Sequence, residues 1–112
     1  MPTCCAVLAL VFAFSADGAS WRDLDGSYAI SGANPFTSGA EERSHLHLQF
    51  RGLAARDLYR AMQVEQSTDE CTGGSMKAID GLRCIYFEKN RKYQCDFSIE
   101  LDSARIGSGL PC

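Results

Sequence analysis

Two segments late in the chain, Leu82 to Phe87 and Tyr93 to Leu101, constrain the fold more than any other part of the sequence. The apolar positions of the second segment alternate strictly with polar ones: Tyr93, Cys95, Phe97, Ile99 and Leu101. Successive side chains of a strand point to opposite faces, so this pattern predicts a half-buried strand with one wet face. The first segment is rich in β-branched and aromatic residues, which favours a second strand.

The polar residues Glu88 to Lys92 join these two strands as a hairpin turn. Asn90 lies at their centre and tolerates the positive φ that tight turns require. A four-residue loop sets Cys84 opposite Cys95, whereas a two-residue loop at positions 90–91 sets Cys84 opposite Phe97. The register stays open at this point, and the pairing of the cysteines depends on it.

Residues 1 to 15 predict an export signal. Ala6 to Phe14 is an uninterrupted apolar run that is too short to span a bilayer as a helix. Ala13-Phe14-Ser15 fits a small-x-small cleavage pattern, and Val11-Phe12-Ala13 is a second choice. Met1 to Cys5 lacks the Lys or Arg that is usual in a signal, so the alternative is that the run is a buried strand or helix. Cleavage leaves residues 16 to 112 as a single small domain.

Four cysteines remain in that domain: Cys71, Cys84, Cys95 and Cys112. In a small exported chain they predict two disulfides, and their spacing is unlike a zinc site. We favour Cys71–Cys84 with Cys95–Cys112, each closing a ring of about 14 to 18 residues worth roughly 3 kcal/mol. The alternative joins Cys84 to Cys95 across the hairpin and leaves Cys71 for Cys112. Disulfides indicate an exported protein, periplasmic or extracellular.

Four further segments complete the predicted fold. Ser44 to Arg51 alternates between apolar and polar residues, which predicts a second amphipathic strand. Leu53 to Val64 carries apolar residues on one helical face, which predicts a helix of three turns. Ser27 to Ser31 and Ser75 to Ile79 predict short strands. One helix on an antiparallel sheet of about four strands, stapled by disulfides, is the economical α+β arrangement for this length.

The apolar face of the helix is expected to cover the apolar face of the sheet. Its residues are Leu58, Tyr59 and Met62, and the sheet residues below them are Leu46, Leu48, Phe97 and Ile99. The element order is similar to that of cystatin-like folds, in architecture only. The Gln-x-Val-x-Gly loop of that family is missing, since residues 63–66 read Gln-Val-Glu-Gln, and no Pro-Trp dipeptide occurs. No cystatin function follows from the likeness.

Candidate chemistry is sparse. His45 and His47 are the only histidines, and at i and i+2 on a strand they share a face, which is a metal-ligand geometry. A third ligand would come from Asp96 or Glu100 on a neighbouring strand. The polar residues that continue the histidine face favour a solvated surface instead. Asp96, Glu100 and Asp102 likewise predict a wet, solubilising outer face rather than an acid–base pair.

The net charge of −3 and the lack of a basic stripe argue against nucleic acid, and no later apolar run is long enough to span a membrane. Lys89, Asn90, Arg91 and Lys92 cluster at the hairpin tip, either to meet an acidic partner or to limit aggregation. With no catalytic constellation and no cofactor motif, we predict a non-catalytic exported binding or inhibitory module acting on another macromolecule. The alternative is a carrier of a small ligand or metal that uses the sheet face or His45 and His47.

Overall fold

An antiparallel sheet with one helix on one of its faces makes up the part of the chain that the computed structural model describes, residues 18–39, 41–107 and 109–112. Its elements are β1 (Gly26–Ser31), β2 (His45–Arg51), α1 (Gly52–Ala61), β3 (Ser67–Thr68), β4 (Ser75–Ile79), β5 (Leu82–Phe87), β6 (Lys92–Glu100) and β7 (Ile106–Gly107). The strand order across the sheet is β1-β2-β6-β5-β4-β3, and β7 pairs with β6.

The α+β class is confirmed, but the sheet has seven strands within the described residues rather than about four. The two strands that the sequence does not predict, β3 and β7, are only two residues long. A pair of residues contains too little alternation for a periodic pattern to be recognised. The similarity to the element order of cystatin-like folds stays a prediction.

The hairpin of β5 and β6 has the four-residue loop, because Phe87 pairs with Lys92. Arg91, not Asn90, takes the positive φ of 56° in this loop. Asn90 contributes differently, since its Oδ1 accepts a hydrogen bond from the Lys92 backbone N–H at 3.2 Å. The resulting register places Cys84 directly opposite Cys95.

This register decides the disulfides. Cys84 is bonded to Cys95 with 4.0 Å between their Cα atoms, and Cys71 is bonded to Cys112. Our favoured pairing, Cys71–Cys84 with Cys95–Cys112, is therefore wrong. The cause is the close approach of directly paired residues in adjacent antiparallel strands, which puts the two hairpin cysteines within bonding reach of each other.

Helix α1 follows β2 without a connecting loop. Gly52 makes the corner with a φ of +62°, a value that a residue with a side chain rarely adopts. The helix ends at Ala61, three residues before the predicted end at Val64, because Met62 turns to extended backbone. Lys77 Nζ donates to the carbonyls of Tyr59 and Met62 at 3.0 and 3.1 Å, which satisfies acceptors that the end of the helix leaves open.

The core lies between α1 and the central disulfide. Its buried members are Ala55, Tyr59, Met62, Cys84 and Cys95. Leu46, Leu48, Phe97 and Ile99, which the sequence predicts beneath the helix, are not members of that core. The helix starts at the β2 end that pairs with the beginning of β6, and its last carbonyls accept from Lys77 on β4. Because Lys77 is level with Cys84 and Cys95 in the sheet, the helix crosses the beginning of β6 rather than following that strand to its end.

The polar face of β6 is not the solvated surface that its sequence predicts. Asp96 is fully buried, and Arg83 Nη2 donates to its Oδ1 at 3.1 Å. The backbone N–H of Leu110 donates to the same oxygen at 2.9 Å, and the Leu110 carbonyl accepts from Arg83 at 2.7 Å. Gly109 lies so close to the carboxylate that a Cβ there would collide with it. The C-terminal tail therefore covers this face, while Asp102, beyond the strand, is exposed.

Candidate functional site

A groove lies between the tip of the β5–β6 hairpin and the amino end of α1, and we call it the tip groove. It encloses about 590 Å³. Its walls are formed by Asp25, Arg51, Gly52, Leu53, Arg56, Phe87, Asn90, Arg91, Lys92, Tyr93 and Gln94. The two walls meet because Arg51 pairs with Gln94 across the sheet and α1 starts at the next residue of the chain.

The tip groove is strongly cationic. Arg51, Arg56, Arg91 and Lys92 line it, against the single carboxylate of Asp25. The amino end of α1 adds positive potential, since the first turn of the helix contains no acidic residue and its N-cap makes no side-chain hydrogen bond. A chain with a net charge of −3 thus concentrates positive charge in one concave place.

The four cations of the tip groove are not equally available. Arg56 is ion-paired with Asp57 at 3.2 Å, and Arg51 donates to the Gln49 side chain at 2.9 Å. Within the described residues, no ion pair engages the side chains of Arg91 or Lys92. The two hairpin cations are therefore the ones ready to receive a negatively charged group.

A cluster of three packed tyrosines supports the wall of the tip groove. The ring of Tyr93 lies 4.6 Å from that of Tyr86 and 5.3 Å from that of Tyr59, measured between centroids. Tyr59 is buried, and burial, followed by repulsion from Tyr93, raises the pKa of its hydroxyl. Leu53 projects from the opposite wall and is 57% exposed. The groove thus offers apolar contact beside its charges.

Three of the four residues predicted at the hairpin tip line this groove, namely Asn90, Arg91 and Lys92. Lys89 is not among the lining residues and is exposed. The sequence interpretation missed Arg51 and Arg56. Their contribution depends on the pairing of β2 with β6, which joins segments about forty residues apart and leaves no local signal.

The two histidines make polar contacts within the fold. His47 is 3% exposed, and its Nε2 donates to the carbonyl of Gly32 at 2.9 Å. His45 Nδ1 lies 2.7 Å from the Ser44 hydroxyl, and the residue pairs with Glu100 across the sheet. Among the residues that the structure describes, no three His, Cys, Asp or Glu side chains are grouped so that they could hold a metal ion. The carrier alternative stays a prediction.

Several expectations concern export and membranes. The predicted export signal, residues 1 to 15, lies outside the described residues. No helix in the described ranges has the length and apolar character needed to cross a membrane. Two disulfides are compatible with an oxidising location outside the cytoplasm.

Comparison with known proteins returned no likeness. No protein-family model, no curated protein and no solved structure matches the chain. The interpretation of the tip groove consequently depends on its own geometry and charge.

Proposed function

We propose that the protein is a non-catalytic, exported binding or inhibitory module that holds an acidic segment of another protein in the tip groove. The observation that carries this proposal is the set of four cations around one concave surface: Arg51, Arg56, Arg91 and Lys92. Opposite charge in a cleft focuses the local field and raises the rate at which a charged partner arrives.

The chemistry of the lining favours binding over catalysis. The groove contains no His, Cys or Ser among its described lining residues, and its one carboxylate, Asp25, lies among cations. General acid–base work needs a group that exchanges protons near the working pH, and nucleophilic catalysis needs an activated nucleophile. Arginine instead offers a fixed fork of N–H donors that matches a carboxylate with two parallel hydrogen bonds.

Rigidity supports the same role. The hairpin that carries Arg91 and Lys92 is closed by Cys84–Cys95 beneath α1, and the aromatic cluster backs its wall. A preorganised surface loses less conformational entropy when a partner binds. Tyr93 and Phe87 add apolar area next to the charges, which suits an acidic segment that also carries an apolar side chain.

The test uses an oligo-glutamate peptide as the probe and measures its binding by fluorescence anisotropy over a range of salt concentrations. Arg91→Glu with Lys92→Glu should weaken binding at least about tenfold and flatten its salt dependence, because two attractive charges become repulsive. Arg43→Glu together with Lys89→Glu makes the same change of net charge outside the lining, and it should leave binding within about twofold.

Two outcomes contradict the proposal. Equal losses in both double variants mean that the peptide senses only the net charge and that the groove is not a site. Tight binding of a sulfated polysaccharide, with no binding of the peptide, assigns the groove to a different class of macromolecule.

A further inference from the structure

The apolar face of the sheet continues beyond the reach of α1. Cross-strand partners of an antiparallel sheet share a face, and the register forms two apolar rows here. The rows are Tyr28–Leu48–Phe97 and Ile30–Leu46–Ile99–Ile106. We call these seven residues the open end. None of them belongs to the core beneath α1. Tyr28, Ile30 and Ile106 are 73%, 41% and 55% exposed, and the other four are partly buried.

The open end is large for a surface left to water. With Ile79 and Leu82 beside it, it comprises nine apolar residues, and Ile79 is 42% exposed; a typical monomer has few contiguous apolar patches of this kind. The two rows contain no charged residue. The edge strand β1 (GSYAIS), which contributes Tyr28 and Ile30 to the open end, also lacks the charges and prolines by which exposed sheet edges usually avoid association. Both features are typical of a surface that is covered in the working protein.

We propose that the open end is the interface of a symmetric dimer, in which two copies pack these faces against each other. A stable dimer of this kind has to bury on the order of 1,200 Å² in total, the lower limit of stable specific interfaces. The rim of the face favours a second copy over another partner, since Asp80 and Arg105 stand together beside Ile79, Leu82 and Ile106. A two-fold axis packs the same surface of two copies together, so each Asp80 can face the Arg105 of the other chain.

The layer dimensions allow this packing. Sheets packed face to face lie about 10 Å apart, and α1 lies over the beginning of β6, away from the open end. When the strands of the two copies run in opposite directions, the open ends overlap and each helix lies beyond the end of the partner sheet. The tip groove is at the other end of β6, so both grooves of the dimer stay accessible.

The first test is sedimentation equilibrium over a range of protein concentrations. It uses the chain as exported, and intact-mass measurement establishes where that chain begins. The wild-type protein should show a reversible monomer–dimer equilibrium. Ile30→Lys places a charge within the apolar interface and should raise the dimer dissociation constant at least about tenfold. Phe36→Lys is the matched control, because Phe36 is 69% exposed and lies outside the open end; its dissociation constant should stay within about twofold.

The second test exchanges charges at the rim. Asp80→Lys and Arg105→Asp each set like charges against each other in a homodimer, which should weaken association about fivefold. In an equimolar mixture of the two variants, the introduced lysine of one chain faces the introduced aspartate of the other, and the native Arg105 of the first faces the native Asp80 of the second. The mixture should therefore associate about as tightly as the wild type. Circular dichroism of every variant establishes that the fold is retained.

Three results would overturn the dimer. They are a wild-type chain that stays monomeric at every concentration, a Phe36→Lys variant as impaired as Ile30→Lys, and a variant mixture that associates no better than its components. If the wild type is a monomer and Ile30→Lys lowers its stability, the result assigns the covering of the open end to residues 6–14 of the same chain. Each result is independent of peptide binding in the tip groove.

Discussion

The apolar side chains at the two ends of β6 lie on the same face of the sheet but have different surroundings. Tyr93 and Cys95, at its beginning, pack under α1, whereas Phe97 and Ile99 lie outside that core. The difference has a simple cause, because the helix crosses the sheet over the beginning of β6, from the end of β2 towards Lys77 on β4. Alternation along a strand thus determines which face is apolar, and the position and direction of the neighbouring elements determine how much of that face is covered.

Two tyrosines offer the strongest test of this contrast. Tyr59, on the buried face of α1, is 5% exposed, and Tyr28 is 73% exposed in the open end. Tyr59→Ala should lower the free energy of unfolding by about 4 kcal/mol, since it leaves a cavity in the core. Tyr28→Ala should change it by less than about 0.5 kcal/mol in the monomer. Urea denaturation at low protein concentration measures both, and similar losses would mean that the open end is covered within the monomer.

Removal of the central disulfide should have the next largest effect. Cys84→Ala with Cys95→Ala deletes a bond that closes a separation of 11 residues in the core, and it should cost about 3 kcal/mol of unfolding free energy. Its near-ultraviolet circular dichroism should also change, because the tyrosine cluster packs on this bond.

The bond between Cys71 and Cys112 is the matched control for that experiment. Cys71→Ser with Cys112→Ser releases a longer separation of 41 residues, so its entropic cost is similar or larger. Both residues are exposed, outside the core. The near-ultraviolet signal should therefore persist, and its loss would contradict the assignment of the core to the hairpin cysteines alone.

The polar face of β6 extends the comparison to the other side of the sheet. Asp96→Asn keeps the shape of the buried side chain but removes the charge that Arg83 and the Leu110 N–H engage. We expect a loss of about 2 kcal/mol in unfolding free energy, the size of a charge-assisted hydrogen bond. Glu100→Gln on the same strand is the control, because it is only partly buried, and it should have little effect. Equal stability of Asp96→Asn and wild type would show that the tail does not depend on this carboxylate.

The smallest effect is expected from pH. Burial, together with Tyr93, raises the pKa of Tyr59. The stability that its neutral hydroxyl contributes is present below the unfolded pKa of about 10 and is lost as pH rises through the higher folded value. Tyr59→Phe should therefore lose less stability than wild type above about pH 10. At pH 7 it should match wild type within about 1 kcal/mol, because this buried hydroxyl has no hydrogen-bond partner within the described residues.

Thermal unfolding monitored across the alkaline range measures this difference. Tyr28→Phe is the control, since its hydroxyl is exposed and the variant should follow the wild-type curve. If Tyr59→Phe and wild type fall off in parallel, ionisation of Tyr59 does not limit alkaline stability.

Local pattern predicts much of this fold. Strict alternation defines β2 and β6 to within one or two residues, β4 and β5 have the predicted bounds, and the change of period after Arg51 predicts α1. These features depend on neighbours in the sequence, and local spacing expresses them directly. The lone Trp21 is predicted from the sequence to dock on the rim of the fold, and this prediction is wrong, since Trp21 is 95% exposed.

The remaining features depend on contacts between distant segments. The burial of Asp96 depends on a Gly- and Ser-rich tail that has no periodic pattern of its own. The disulfide pairing depends on a hairpin register that the sequence left open between two loops. The cations of the tip groove come from β2, α1 and the hairpin, and only the pairing of β2 with β6 brings them together.

The direct passage from β2 into α1 also has a kinetic consequence. The hairpins β1–β2, β4–β5 and β5–β6 each join neighbouring segments, so they close small loops, whereas β2 reaches β6 from the other half of the chain. Non-local pairing is the slow part of folding. Because Gly52 ties the helix to the strand without a linker, the event that docks β2 also delivers α1 to the core. We expect refolding to be limited by this one step, with Leu48→Ala slowing it and Ala78→Gly, on β4, mainly accelerating unfolding in stopped-flow measurements.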